Sequence, residues 1–347
     1  MQIRSLVHKN YRGLKDGSIS FDRVNHIIGN NGCGKTSVIE AVVLLLSGRS
    51  FQGATLKEIT NKHKLTASLY GSVFLNKNNV YETSLVFDGK KKTHKLNNKR
   101  VGQQRAHKTF PLCLIDTNAI NASSGQPKYR RDLLDRAVFH VEPQHATNHK
   151  KLNKCLSQRN RAIRKGETKR AIQSWDEPLA EAGEKISKAR QLLLNEAAPC
   201  LKEVSDELLG IKIKTSFHYG WEKGALLDSL KESLSKDMAL KSTSSGPQKE
   251  DYKLMAAENK TKGYFSHGQE KLSAIALLLA LNNAVEKRKK TNSIIIIDEA
   301  ESGLDAVSVE KLFSLIKSYE NQVLITSLPH HSATEKIVGN IFHPAQK

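Results

Sequence analysis

Cysteine is scarce in this chain of 347 residues, and the four present (Cys33, Cys113, Cys155 and Cys200) are too scattered for a disulfide framework or a cysteine metal site. Long apolar runs are missing too. The longest, Ala274 to Leu281, is far too short to span a bilayer. The opening MQIRSLVHKNYRGL has no apolar core of the signal-peptide kind, so the expected setting is reducing and cytoplasmic, with no membrane partner. No internal repeat is present, which sets aside solenoids and propellers. Acidic residues are in deficit: 35 Asp and Glu stand against 55 Lys and Arg, a formal charge of +20. A nucleotide alone does not call for such an excess. It points to a polyanionic partner, nucleic acid before an anionic membrane surface.

The most informative stretch present is Gly29-Asn30-Asn31-Gly32-Cys33-Gly34-Lys35-Thr36, which fits the phosphate-loop pattern G-x-x-x-x-G-K-[ST] at every fixed position. A triphosphate needs several backbone N–H groups turned inward at once, and a glycine-rich turn allows that close approach. Lys35 would bring a mobile positive charge to the β- and γ-phosphates, Thr36 would hold Mg²⁺, and Ser37 continues the ATP-binding run. Cys33 reads as a small filler. The flanks agree, because Arg23 to Ile28 reads as a short buried strand and Val38, Ile39, Val42, Val43 and Leu46 as one face of a helix. That helix would aim its positive end at the phosphates.

Along the rest of the chain, Met1 to Val7 and Gly17 to Phe21 read as strands joining the phosphate-loop strand in one sheet. Ser50 to Leu65 reads as a polar connection. Ala67 to Leu75, Val80 to Phe87 and Lys92 to Leu96 alternate as an antiparallel meander, turning at 76–79 and at Asp88-Gly89. Its outer end carries an acid-free cluster between Lys90 and Lys108, a candidate DNA or phosphate contact or simply a solvated basic hairpin. Phe110 to Ile115 reads as a buried strand, and a helix follows Pro127.

From His140 to about Lys241 the chain becomes long, polar and helical, with basic residues from Lys150 to Arg170, Arg159 among them. Leu179, Ala182, Ile186, Ala189 and Leu193 form one apolar stripe, suited to a helical pair or to a helix on an ordinary core. Pro199 should break or kink that helix, and Lys241 to Pro247 reads as a boundary loop. The expected division is therefore 1–139 and 246–347 for an α/β nucleotide-binding head and 140–245 for an inserted, mainly helical arm.

The head has a second chemical segment. Ile294 to Ile297 ends in Asp298-Glu299, and acids at the C-terminal end of a parallel strand face the ligand crevice. Asp298 would hold Mg²⁺ through water, and Glu299 would orient or deprotonate the attacking water. Ser266-His267-Gly268-Gln269 opens a helix, either as a second anion site or as an ordinary N-cap, and Asp305 lies in Ser302-Gly303-Leu304-Asp305.

In this order, the phosphate loop, S-x-G-Q, aliphatic-D-E and S-x-L-D segments resemble the ABC-type ATPases, and within them the RecF family of bacterial recombination mediators. The resemblance extends to Tyr11-Arg12, Pro127 to Arg131, Leu133-Leu134-Asp135, Gln158-Arg159-Asn160 and Gly246-Pro247. It implies an ABC-type P-loop ATPase head with an antiparallel meander and an inserted helical arm. It further implies a homodimer formed on ATP, in which Ser266, Gly268, Gln269 and Asp305 help to bind the nucleotide and the signature Ser266 faces the partner's phosphate loop. The implied partners are single-stranded and duplex DNA at gap junctions, with RecR and RecO-like mediators, and the implied activity is weak, DNA-stimulated ATP hydrolysis that helps recombinase to load. The chain departs from the family's pattern with His267 for Arg, Gln248 for His and Glu299 for a second Asp, and Ser327 stands where transporters place a switch His, with His330 and His331 further along. Two other readings use the same loop: an ATP-clamped interaction protein with little hydrolysis, and a transporter-type ATPase subunit. The 231 positions from Lys35 to Ser266 disfavour the transporter.

Overall fold

The computed structural model describes residues 1–76, 79–222, 224–257, 259–329 and 340–344, so the expected turn at 76–79 is described only at its ends, and His330 and His331 lie outside the described residues. Contacts divide the chain into one unit of Met1–Ala119 with Glu286–Lys347 and another of Ile120–Val285.

The first unit begins with β1 (Gln2–Lys9), β2 (Gly17–Ser20), β3 (Val24–Ile28), α1 (Lys35–Ser47) and α2 (Leu56–Ile59). It continues with β4 (Ala67–Asn76), β5 (Asn79–Phe87), β6 (Lys92–Leu96), β7 (Lys99–Arg100), α3 (Gln103–Thr109) and β8 (Leu112–Ile115). The second unit carries α4 (Pro127–Val141), α5 (His145–Lys165), α6 (Lys169–Gln173), α7 (Asp176–Leu209), β9 (Ile213–His218), α8 (Leu226–Glu232), α9 (Leu234–Leu240), β10 (Asp251–Ala256) and β11 (Asn259–Lys260). Then α10 (His267–Lys289) leads the chain back to the first unit for β12 (Ile294–Ile297), α11 (Ala306–Lys317), β13 (Gln322–Ser327) and β14 (Asn340–Phe342).

The first unit holds two sheets. β2-β1-β4-β5-β6-β7 is antiparallel throughout, and β14-β3-β13-β12-β8 is parallel throughout. The expectation that β1 and β2 share a sheet with the phosphate-loop strand is therefore corrected. In β1 the buried residues alternate with wetter ones from Ser5 onward (Leu6 and His8 buried), and a bulge between Ile3 and Ser5 lets Ile3 be buried as well, which suits a sheet with one wet face, whereas β3, β12 and β13 are buried on both. α1 touches β13 of the parallel sheet and β4 and β5 of the antiparallel one. It is accordingly buried all round, Ala41, Leu44 and Leu45 included, rather than on one face. Its one buried acid, Glu40, is fully enclosed and held by the Tyr11 hydroxyl, Ser50 Oγ and the Arg12 guanidinium.

In the second unit, α5 packs on α7, and Leu179, Ala182 and Ile186 of the stripe are buried with Leu152, Cys155, Leu226 and Leu230. Three expectations change here. First, of the break or kink expected at Pro199 there is no break, since α7 continues through it to Leu209. The proline gives up a hydrogen bond to the Asn195 carbonyl, but buried Ala197, Leu201 and Val204 hold the helix on both sides. Second, the segment 241–247 marks no boundary but lies inside this unit: Thr243 donates through N and Oγ1 to Asn160 Oδ1 (2.8 and 2.7 Å), and Ser244 N donates to Asp237 Oδ1 at 2.8 Å. Third, the helical unit contains a sheet, β11-β10-β9, whose alternation at Tyr252, Leu254 and Ala256 went unread. That sheet moves the divisions read from sequence at 139/140 and 245/246. Arg130 of α4 grips Asp251 of β10 with Nε and Nη2 (2.8 and 2.7 Å), so α4 and β10 group with the helices.

Arg159, expected in the basic surface, is fully buried instead. Its guanidinium donates to Asp176 Oδ1 (2.7 Å), Asp237 Oδ2 (2.7 Å), Thr243 Oγ1 (2.9 Å) and the Leu230 carbonyl (3.3 Å). Removing it would strand two buried carboxylates. Arg159→Met should therefore lower the unfolding free energy by about 3–5 kcal/mol in chemical denaturation. A loss below about 1 kcal/mol would show that water already relieves those carboxylates.

Candidate functional site

The phosphate loop joins β3 to α1, and its backbone is shaped as a cradle. Gly32 and Gly34 have φ of 80° and 101°, in the left-handed region that glycine enters without strain. Gly34 is also the N-cap of α1 and has no side-chain cap, which leaves first-turn N–H groups of the helix to an anion. A Cβ at Gly29 would lie 2.3 Å from Cys33 Sγ, so the cysteine fills the hollow of the turn. Lys35 is buried, and its ammonium donates to the carbonyls of Gly29 (2.6 Å) and Asn30 (3.1 Å). Asn30 and Asn31 are exposed, and Ser37 is half-buried on the first turn of α1.

The end of β12 meets this loop. Asp298 Oδ1 accepts from Thr36 Oγ1 at 3.3 Å and from Thr326 Oγ1 at 2.7 Å. Burial raises the Asp298 carboxyl above its ordinary range; the Thr326 and Thr36 hydroxyls oppose that shift, while Glu299 and Asp116 add to it. Thr326 also takes the Glu299 N–H at 2.8 Å. That bond holds Glu299 at φ 54°, a left-handed conformation that costs a non-glycine residue on the order of 1–3 kcal/mol and recurs where function requires it. Thr326 was missed in sequence. Its only signal was a hydroxyl at the end of a buried strand adjoining the one that ends in Asp298.

These residues fit a triphosphate with a divalent cation. A hydroxyl and a buried carboxylate converge beside a glycine cradle and a lysine, and a cation there would reverse the penalty burial places on the charged acid. Asp305 sits elsewhere in the same unit as the N-cap of α11, with Oδ1 accepting from Ser308 N at 2.8 Å; that backbone bond chiefly lowers its pKa. Ser266 and Gln269 belong to the other unit and cap α10 reciprocally: Ser266 N donates to Gln269 Oε1 (3.0 Å) and Gln269 N to Ser266 Oγ (3.3 Å). Both are exposed, and Gly268 is half-buried between them. Ser327 carries a contact not foreseen: its Oγ lies 2.6 Å from His26 Nε2, and its carbonyl accepts from Gly29 N at 3.3 Å.

Two exposed sets of cations were also expected. Lys90, Lys91, Lys95, Lys99, Arg100 and Arg105 are exposed on or beside β6, β7 and α3. Lys150, Lys154, Arg161, Arg164 and Lys165 are exposed on α5, and Lys169 and Arg170 on α6. Lys92 is partly committed, donating to the Gly48 carbonyl at 2.6 Å. Among the described residues no helix is long and apolar enough to cross a membrane.

The family profile described as the RecF/RecN/SMC N-terminal domain matches residues 2–343. The protein called DNA replication and repair protein RecF in Pseudomonas aeruginosa (strain UCBPP-PA14) is 32% identical over 317 residues, which cover 88% of this chain and 84% of that one. Its namesake in Haemophilus influenzae is 31% identical over 349 residues, covering 98% and 96%. A solved structure of the recombination mediator protein RecF with ATP superposes with a TM-score of 0.85 at 24% identity, over 99% of this chain and 95% of that one.

The buried histidines of the first unit give a pH test. Burial pushes His26 down from its ordinary 6.5 to about 4, helped by the neighbouring His343, and burial likewise brings His94 to about 4. Between those values the unfolded chain binds more protons than the folded one, so stability falls as the pH drops from 6.5 toward 4. Each such histidine contributes about 1.4 kcal/mol per pH unit over that window. Denaturation across the range should show the fall, and His26→Gln should remove one histidine's share. An unchanged slope in the variant would mean that His26 is protonated without unfolding.

Proposed function

The chain belongs to the RecF branch of the RecF/RecN/SMC N-terminal-domain family, and from that membership we propose an ATP-dependent DNA-binding protein of replication and recombinational repair. On this reading it dimerises on ATP and DNA and helps to load recombinase at single-strand gaps, with RecR and RecO-like mediators as partners. The observation that carries the proposal is the junction of Thr36, Asp298 and Thr326 beneath the glycine cradle of residues 29–34.

Residues 29–37 would bind the triphosphate, Lys35 placing its ammonium at the β- and γ-phosphates. Thr36 and Asp298 would hold Mg²⁺, which supplies charge neutralisation on those phosphates. Glu299 would orient the attacking water and take its proton, its carboxylate aimed by the backbone conformation that Thr326 secures. Ser266, Gly268 and Gln269 would complete the site on a second copy's nucleotide, and Asp305 would support that interface. The exposed cations of the meander and of α5 and α6 would neutralise DNA phosphates.

Replacing Glu299 separates binding from turnover. Glu299→Gln should bind ATP and dimerise, yet hydrolyse it about 10²–10⁴-fold more slowly in single turnover. Asp298→Ala should weaken Mg·ATP binding itself. If hydrolysis opens the dimer, the Glu299→Gln complex should also leave DNA more slowly than wild type. Wild-type hydrolysis by Glu299→Gln would remove it as the base. Slow hydrolysis with wild-type DNA release would break the proposed coupling and favour an ATP clamp that turnover does not govern.

A further inference from the structure

Away from the nucleotide loop, the helical unit gathers three side chains whose geometry hydrogen bonds do not explain. Asp135 lies on α4; His145 and His149 lie one turn apart on α5. Asp135 Oδ1 is 3.0 Å from His145 Nε2 and 3.3 Å from His149 Nε2, and the two Nε2 atoms are 3.2 Å apart. Three atoms thus form a nearly equilateral triangle. If both imidazoles donate to the carboxylate, their N–H groups face each other. If one ring turns its lone pair inward to accept from the other, it presents that lone pair to a carboxylate oxygen. With Asp135 ionised, as its two bonds from the Arg190 guanidinium require, no placement of protons satisfies all three contacts.

A single cation in contact with all three atoms does. Zinc binds imidazole nitrogen at about 2.0–2.1 Å and carboxylate oxygen at about 2.0–2.2 Å, so two ligands on a tetrahedron lie about 3.3 Å apart. The observed edges match that figure. The i, i+4 spacing puts both imidazoles on one helix face, as helical zinc sites require. The carboxylate is already oriented from behind: Arg190 Nε donates to Asp135 Oδ1 (2.8 Å) and Nη2 to Oδ2 (2.6 Å), while Nη1 is matched by Glu250 Oε2 at 2.7 Å. Such outer partners are typical of metal-binding carboxylates. His149 is 27% exposed and gives an ion a way in, while His145 is 2% exposed.

We propose that Asp135, His145 and His149 form a zinc-type transition-metal site in the helical unit. Two imidazoles and one carboxylate select such an ion over Mg²⁺ or Ca²⁺. Three protein ligands leave a fourth position for water or for a ligand from a partner. The ion joins α4 to α5 and, through Arg190, reaches α7, at a site separate in sequence from the loop and strand end that would bind ATP.

The test uses the full chain, dialysed against EDTA and then against metal-free buffer. Titration with Zn²⁺ should show one tight equivalent, and Co²⁺ should give the strong visible absorption of a four-coordinate site. His149→Ala should weaken zinc at least about 10–100-fold, since even the loss of an outer partner costs that much. Asp135→Asn should also weaken it, and His63→Ala, in an exposed loop, should not. If His149→Ala does not fold, His149→Gln takes its place. Absence of a tight equivalent in the wild type, or zinc binding unchanged in both the His149 and Asp135 variants, would overturn the site.

Discussion

The structure of the first unit depends on one buried carboxylate. Asp298 directly follows β12 and carries a charge that burial disfavours, and the hydroxyls of Thr36 and Thr326 donate to it. Each hydroxyl reports a separate element: Thr36 the start of α1 and Thr326 the end of β13. The carboxylate therefore fixes where loop, helix and two parallel strands meet. Thr326 then passes the constraint to Glu299, whose left-handed backbone it helps to hold together with the bonds from Ala300 N to the Thr326 carbonyl and from Ser302 N to the Glu299 carbonyl. α1 can serve this geometry because it is buried nearly all round and touched by both sheets, with Glu40 tied to Tyr11 and Arg12.

The second unit rests on buried arginines. Arg159 and Arg190 each bring together acids from distant parts of the chain: Asp176 and Asp237 for one, Asp135 and Glu250 for the other. Such networks hold one arrangement because any other leaves a charge unpaired in a dry interior. They also change how the chain's positive charge should be counted. Arg159 and Arg190 belong to the core, and Lys151 is engaged by Glu181, so the basic run on α5 offers a polyanion fewer free cations than its sequence shows.

Sequence made some of this legible and hid the rest for physical reasons. The phosphate loop, the Asp298-Glu299 strand end and the meander are local patterns, and local patterns are visible in a line of residues. The stripe from Leu179 to Leu193 was equally plain. What stayed hidden depends on partners far apart in sequence. Alternation marks β1 and β2 as strands but does not say which sheet they join. Arg159 looks like any member of a basic run until Asp176 and Asp237 are seen around it. Pro199 predicts a break only if packing is ignored, and the Ser-rich segment after Lys241 looks like a boundary only without Asn160 and Asp237. Thr326 had a readable signal, since a Thr closing the strand beside an Asp-Glu strand end is positioned to hold both. The alternation of β10 was readable too and was passed over beside long helices.

On the proposed function, each copy of this chain would supply part of two shared ATP sites: Lys35 and Thr36 from one copy, Ser266 and Gly268 from the other. Mixing Lys35→Ala chains with Ser266→Arg chains tests it directly, because a dimer of the two would regain one intact site. With mixed dimers verified by differential tags, ATPase activity, near absent in either variant alone, should reappear in the mixture. Mixed dimers that form but hydrolyse no more ATP than the separate variants would contradict it.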